Sequence, residues 1–520
     1  MAKKTVFLTG ASGNMGWHGF QELYKRKDKF DIVVLNRGSQ KNREKFSAYE
    51  NDPCVRLLWG DLRKYEDVLA GVTGADFVLH VGGMVSPQAD YDPKGTIRVN
   101  TAAAKNVVDA VKAQPNADDI RLVYIGTVAQ TGDRNAPIHW ARTGDPIKIS
   151  VYDHYAISKT IAERIFAESG LRYWVSLRQS GILYANIIKN QDPIMFHVPI
   201  NGVLEWATVE DSGRLLANVC EDWVPEEFWR GFYNIGSGAD YRITNYEFEE
   251  FLLGALGLGS PKKIFGANWF ATKNFHGQWY ADSDQLEAYL HFRQNKSIQD
   301  YFAEISAQIP SYYKLAKLVP PGMIKAAMMK KMTRTPIFGT MSWFESDDRA
   351  RITAYFGSRR RWAKIGSWDT FPLWQPTREE RETLCGQLPE NTLSHGYDET
   401  KPLAALSIDD MRRAARFRGG ECLSQSMEPG DLFTPLKWRC AHGHSFEMTP
   451  NLVLKGGHWC PDELPGPNDG DWKNPFTPWD YGSEAKVNPF FAQVWNPLHH
   501  KDNCDVYGEE IFKGMKGYEQ

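Results

Sequence analysis

The first 180 residues predict an α/β fold, a doubly wound parallel sheet, with a small substrate lobe and a mostly helical and irregular C-terminal region after it. Three observations carry this. Short, nearly continuous apolar runs recur at 4–9, 31–36, 55–59, 77–81, 121–126 and 173–177, as parallel strands buried on both faces require. Helix-length segments such as 96–113 and 153–169 separate them, which is the strand–helix–strand rhythm of a parallel sheet. A glycine-rich turn follows the first run directly, and ligands of such sheets bind beyond the C-terminal ends of the strands.

Taken in order, residues 1–180 are expected to form the α/β core, and 203–235 to return to it. Residues 181–202 and 236–305 form the substrate lobe, with helical patterns at 245–257 and 284–306. A helical extension spans 306–429 and includes 376–386 and 407–418. Residues 430–520 form a tail rich in Trp, Pro and Gly. The basic clusters Lys330-Lys331 and Arg359-Arg360-Arg361 read as solvated helix ends, since acidic residues balance them over the chain.

A chain of 520 residues calls for two or three packed units. Its 61 Lys and Arg against 64 Asp and Glu leave a formal charge of −3, so there is no global basic field to hold nucleic acid or an anionic membrane. An apolar fraction of 42% suits a folded core rather than a disordered chain. No stretch approaches the ~20 apolar residues of a membrane span. Seven scattered Cys do not form a disulfide pattern, and a cytoplasmic protein with a small-molecule substrate is expected. Aromatic content is high, with 18 Trp. In the tail Trp438, Trp459, Trp472, Trp479 and Trp495 are expected to anchor on the catalytic unit, with Trp174, Trp206, Trp223 and Trp229 helping to provide the surface.

Two motifs carry chemistry. Gly10-Ala11-Ser12-Gly13-Asn14-Met15-Gly16 sits between the first strand and the next helix. Glycines at this spacing permit a tight turn, close approach of backbone to a pyrophosphate, and close helix-on-strand packing. Tyr155 and Lys159 lie four apart on a helix and therefore share a face. An ammonium near a phenol favours the phenolate and so lowers its pKa.

Together these residues resemble the extended short-chain dehydrogenase/reductases, the NAD-dependent epimerase/dehydratase-like group, over roughly residues 3–295. Gly60-Asp61-Leu62, His80-Val81-Gly82-Gly83, Asn100-Thr101, Ile125-Gly126-Thr127 and Arg178-Gln179-Ser180-Gly181 follow in the family's order. The resemblance implies a Rossmann core with catalytic Thr127, Tyr155 and Lys159, Thr131 being the fallback for Thr127. It further implies that Gly10, Ser12, Gly13, Asn14, Met15, Gly16, Asn36, Arg37, Asp61, Leu62, Val81, Gly82, Gly83, Asn100, Tyr155, Lys159, Gln179 and Gly181 hold the dinucleotide. Relatives form oligomers, which makes a homodimer an open expectation.

Departures from the family refine this. Asn36 and Arg37 stand where NAD-preferring members carry an acidic residue, which favours NADP(H) and leaves NAD(H) open. Val128-Ala129 replace the acidic pair of dehydratases, which disfavours dehydration. The stretch 187–206 contains Met195, Phe196, Val198 and Ile200 but only Lys189 as a base, which favours a partly apolar substrate. The expected activity is reduction of a ketone or aldehyde, or oxidation of the alcohol. A sugar epimerase with tightly held NAD is the alternative, and a non-catalytic nucleotide-binding scaffold the third reading.

In the tail, Cys440 and His444 followed by Cys460 and Glu463 resemble a small zinc ribbon with Glu463 in place of the fourth thiolate. This implies either a structural zinc or a ribbon that has lost its metal and packs through Trp438, Phe446 and Trp459.

Overall fold

The computed structural model describes residues 3–386, 392–467, 476–499, 505–516 and 518; Trp472 lies outside them. Seven parallel strands form the central sheet: β1 (Lys4–Thr9), β2 (Phe30–Asn36), β3 (Val55–Trp59), β4 (Phe77–His80), β5 (Arg121–Thr127), β6 (Trp174–Gln179) and β7 (Gly231–Ile235). Their order is β7-β6-β5-β4-β1-β2-β3. The chain reverses direction across the sheet between β1 and β4, where Val6 pairs with Phe77 and Thr9 with His80. A crevice opens beyond the strand ends at such a reversal. All six predicted strands are present, and the returning segment adds β7 at the edge beside β6.

Helices cover both faces. On one side α1 (Asn14–Tyr24) packs against Val209–Asn218, with Phe20, Leu23, Leu215 and Leu216 in one buried cluster. On the other, α2 (Pro93–Lys112) packs against α3 (His154–Ala167), and Val107, Val111 and Phe166 join the core. α2 begins three residues before the predicted 96–113 because the Asp92 carboxylate accepts from Gly95 N at 3.0 Å and Pro93 fits the first helical position. Asp153 caps α3 in the same way, accepting from Ala156 N at 2.8 Å. The predicted helix 284–306 is two helices, Ser283–Leu290 and Ile298–Gln308, broken where His291 and Asn295 take positive φ.

The C-terminal region shares the cores of the N-terminal sheet unit. Leu436, Trp438, Met448, Leu452, Val453 and Leu454 lie in one buried cluster with Phe7, Tyr124, Phe166 and Trp174. Ile157 and Ile161 of α3 are buried with Trp479, Phe491, Trp495 and Phe512. Of the four tryptophans expected to receive the tail, Trp174 does so. Trp206 instead stacks on Phe248 at 4.5 Å, Trp229 belongs to the opposite face, and Trp223 is exposed.

The boundary expected at 429/430 falls inside a packed unit. Helix α4 (Ile408–Phe417) and strand β8 (Glu421–Cys422) join the hairpin of β9 (Leu436–Arg439) and β10 (Ser445–Met448) in a three-stranded antiparallel sheet. Among the described residues no helix is long and apolar enough to cross a membrane.

Candidate active site

The glycine turn is shaped as its spacing requires. Gly10 has φ +73°, and a Cβ there would lie 2.7 Å from Gly82 Cα. A Cβ on Gly16 would lie 2.2 Å from Gly10 O. Gly13 N donates to Gly10 O at 3.0 Å and precedes α1, whose first turn carries no acidic residue. Gly13 and Asn14 are exposed while Met15 is buried, so the positive end of α1 meets solvent beyond β1. Lys45 Nζ donates to Ser12 O at 3.0 Å and adds positive charge to the loop.

Of the other predicted dinucleotide residues, Val81, Gly82 and Leu62 stand beside this turn. Thr9 Oγ1 accepts from Val81 N at 3.1 Å and Gly82 N at 3.0 Å, which pins the end of β4 over Gly10. Leu62 packs on Gly82, where a Cβ would meet its Cδ1 at 2.8 Å. Asp61 forms an ion pair with Arg63, whose guanidinium holds the carboxyl below its ordinary range. Gly83 is exposed. Asn100 works on the protein itself: its Oδ1 accepts from Met84 N at 2.8 Å, and its Nδ2 donates to Met84 O at 3.0 Å and Ser158 Oγ at 2.8 Å.

At the end of β2 the Asn36 side chain is buried with neither polar atom hydrogen-bonded, while Arg37 is exposed. Gln179 Oε1 is likewise buried without a partner. Gly181 lies against Leu204 and Trp206. The tight turn and these unsatisfied polar atoms fit a dinucleotide.

Thr127 ends β5, and Tyr155 and Lys159 lie on the neighbouring helix α3. The Thr127 hydroxyl accepts from Ala129 N at 3.2 Å and stands near enough to the Tyr155 phenol to favour its ionised form. Thr131 faces elsewhere, donating to Gln278 Oε1 at 2.8 Å. Lys159 is buried one turn along α3, its Nζ 4.4 Å from the Tyr124 ring centroid.

The electrostatics differ from the expected lowering of the phenol pKa. Burial pushes Tyr155 up, with the nearby Thr127 hydroxyl opposing and Asp153 adding to the rise. Burial also brings Lys159 down to about 7, against the attraction of Glu163. Desolvation therefore outweighs the pairing that helical spacing predicts.

Phe196 and Ile200, expected to line an apolar substrate surface, are buried in the core beneath the tail.

Sequence reasoning missed the cluster behind this trio. Glu163, one turn after Lys159, is fully buried. It accepts from Gln130 Nε2 at 3.0 Å, Ser176 Oγ at 2.6 Å, Arg178 Nε at 3.0 Å and Arg178 Nη2 at 2.6 Å. His458 Nε2 lies 2.9 Å from its Oε1, and Arg178 Nη2 also donates to Gly456 O at 2.6 Å. Burial alone would raise the Glu163 carboxyl, but Arg178 and His458 hold it well below the carboxylate range. Gln130 Oε1 in turn accepts from Thr127 N at 3.1 Å, so the cluster touches both ends of the catalytic set. A lone Glu on an otherwise buried helix face was the available signal.

The four predicted metal ligands also converge. The ligand atoms of Cys440, His444, Cys460 and Glu463 lie within 4.8 Å of one another; both thiols are buried and His444 is exposed. His442 belongs to a second group that shares Glu463: it pairs with Glu484 at 3.1 Å, and the ligand atoms of all three lie within 4.8 Å of one another.

Comparison with known proteins agrees with the N-terminal architecture. Over 109 residues the chain is 34% identical to UDP-N-acetylglucosamine 4,6-dehydratase (inverting) of Campylobacter jejuni, which covers 21% of this chain and 32% of that protein. Over 111 residues it is 28% identical to UDP-glucose 4-epimerase of Rickettsia bellii, again 21% of this chain and 32% of that protein. The chain thus spans about a third of the length of the curated relatives it matches.

Similar solved structures include the dTDP-glucose 4,6-dehydratase DesIV of Streptomyces venezuelae with NAD and TYD bound. It has TM-score 0.46 and 18% identity, covering 58% of this chain and 96% of that one. The UDP-glucose 4-epimerase of Thermus thermophilus with NAD has TM-score 0.45 and 19% identity, covering 58% and 98%. Residues 6–182, running from β1 through β6, match the model of the NAD dependent epimerase/dehydratase family.

Proposed function

We infer that the chain is an NAD(P)-dependent oxidoreductase that reduces a ketone or aldehyde of a small to medium, partly apolar substrate, or oxidises the alcohol. The observation that carries this reading is the approach of the Thr127 hydroxyl, at the end of β5, to the Tyr155 phenol on α3, the helix that also carries buried Lys159. Bound NAD(P) supplies the hydride donor or acceptor. In reduction the Tyr155 phenol delivers a proton to the substrate oxygen, and in oxidation it receives one. The Thr127 hydroxyl hydrogen-bonds that same oxygen. Lys159 donates to the nicotinamide ribose and, when protonated, favours the phenolate. A pure scaffold has no need of all three side chains.

NADP(H) is the favoured nucleotide. Arg37 follows Asn36 directly, and Arg43 lies over the Trp59 ring at 4.7 Å beside Gly38, so two guanidinium groups stand at the end of β2. Two such forks suit a 2′-phosphate.

Epimerisation is the second reading, favoured by the UDP-glucose 4-epimerase relatives. Dehydration is disfavoured, because Val128 and Ala129 offer no acid after Thr127. Purified protein incubated with candidate substrates and NADPH separates the two. Net loss of absorbance at the nicotinamide band supports reduction, whereas turnover on copurifying nucleotide with no net redox change overturns it in favour of epimerisation.

A further inference from the structure

We propose that Cys440, His444, Cys460 and Glu463 bind one zinc ion, and that this site is a clasp holding the segment 456–460 against the back of the catalytic helix. The inference stands on the geometry of the C-terminal region and does not depend on the reaction proposed above.

Zn–S bonds of about 2.3 Å and Zn–N bonds of about 2.0 Å meeting at a tetrahedral angle put sulfur and nitrogen about 3.5 Å apart. His444 Nδ1 lies 3.4 Å from Cys440 Sγ and 3.7 Å from Cys460 Sγ. Glu463 completes the set with an Oε1 that is buried without a hydrogen-bond partner. Two thiolates, an imidazole and a carboxylate suit zinc better than magnesium or calcium, which prefer oxygen alone.

The backbone presents these groups on two tight turns. Between β9 and β10, Cys440 N donates to His444 O at 3.0 Å and Gly443 N to Cys440 O at 3.1 Å. In the second turn Glu463 N donates to Cys460 O at 3.2 Å. Four protein ligands leave no open position, so the role is structural.

What the ion would fasten is specific to this chain. Between the second turn and the sheet runs Gly456-Gly457-His458-Trp459-Cys460. Trp459 sits edge-on to Trp438 at 5.7 Å and to Phe446 at 5.2 Å, both from the hairpin that carries the first ligand pair. Two residues before Cys460, His458 meets Glu163, and Gly456 O accepts from Arg178. Fixing Cys460 to Cys440 therefore fixes the approach of His458 to α3, one turn from Lys159.

The test uses full-length protein made without an affinity tag or added zinc. Elemental analysis is expected to give one zinc per chain, falling to background in Cys440→Ser and Cys460→Ser. Because those variants can misfold, the wild-type protein is also stripped and reloaded with cobalt(II). Thiolate-to-cobalt charge-transfer absorption and intense visible bands of a tetrahedral ion are expected, weakened or shifted in Glu463→Gln. Protein that is free of zinc as purified and takes up no tetrahedral cobalt overturns the site. Hydrogen exchange then tests the clasp: removing the metal is expected to speed exchange in 456–460 and His154–Ala167. Unchanged exchange in both segments overturns the clasp while leaving the metal site standing.

Discussion

His458 Nε2 lies 2.9 Å from Glu163 Oε1 although the two residues are 295 positions apart. A side chain of the C-terminal region thereby completes a buried polar cluster on α3, with Arg178 as the principal counter-charge. Removing one donor from a buried carboxylate costs about 1–3 kcal/mol, and leaving a buried guanidinium unpaired costs about 3–5 kcal/mol. His458→Ala is therefore expected to lower unfolding free energy by the smaller amount and Glu163→Gln by the larger. Equal effects in denaturant titrations would contradict this ranking.

Tyr155→Phe removes the proton donor but not the ring. Turnover should fall by about 10²–10⁴-fold, the usual contribution of a positioned acid or base, with nucleotide affinity nearly unchanged. Stopped-flow turnover and fluorescence titration with NADPH check the two halves. Full activity in the variant refutes the assignment.

Lys159 offers a pH test. Its folded pKa of about 7 lies below the ordinary 10.5, so between those values the unfolded chain binds the extra proton. Stability contributed by this group therefore rises as pH increases from about 7 toward 10, by an amount on the order of a few kcal/mol. Lys159→Met, freed of nucleotide, should lack that rise. Parallel stability curves for the two proteins across this window would show that the ammonium is not desolvated.

Arg37→Ala tests the nucleotide preference. Loss of one charge-assisted hydrogen bond to a 2′-phosphate is worth roughly 1.5–3 kcal/mol, about tenfold or more in affinity. NADPH binding should weaken accordingly while NADH binding stays within about twofold. Equal weakening of both would place Arg37 against the adenine instead.

Deleting residues 430–520 removes Trp438, Leu452, Val453 and Leu454 from the cluster that contains Tyr124 and Trp174, and Trp479 and Trp495 from α3. Each large buried side chain contributes about 1.5–3 kcal/mol, so the loss is comparable to the whole stability of an ordinary domain. The truncated protein is expected to be insoluble. Soluble, folded truncated protein would show the tail to be an accessory layer.

The sequence by itself determined what is local. Continuous apolar runs marked the six predicted strands, Gly10, Gly13 and Gly16 marked the turn after β1, and the i,i+4 spacing put Tyr155 and Lys159 on one helical face. The convergence of Cys440, His444, Cys460 and Glu463 was legible too, because their spacings are short. Tertiary structure alone decided the rest. Burial reversed the expected shift of Tyr155, since desolvation depends on what covers a helix and not on the residue four places away. The pairing of Glu163 with Arg178 and His458, and the seating of the tail on α3 and Trp174, join residues whose separation leaves no periodicity to read. A buried charge reveals its partner only when the chain has folded around it, because only then has the water that would otherwise solvate it been excluded.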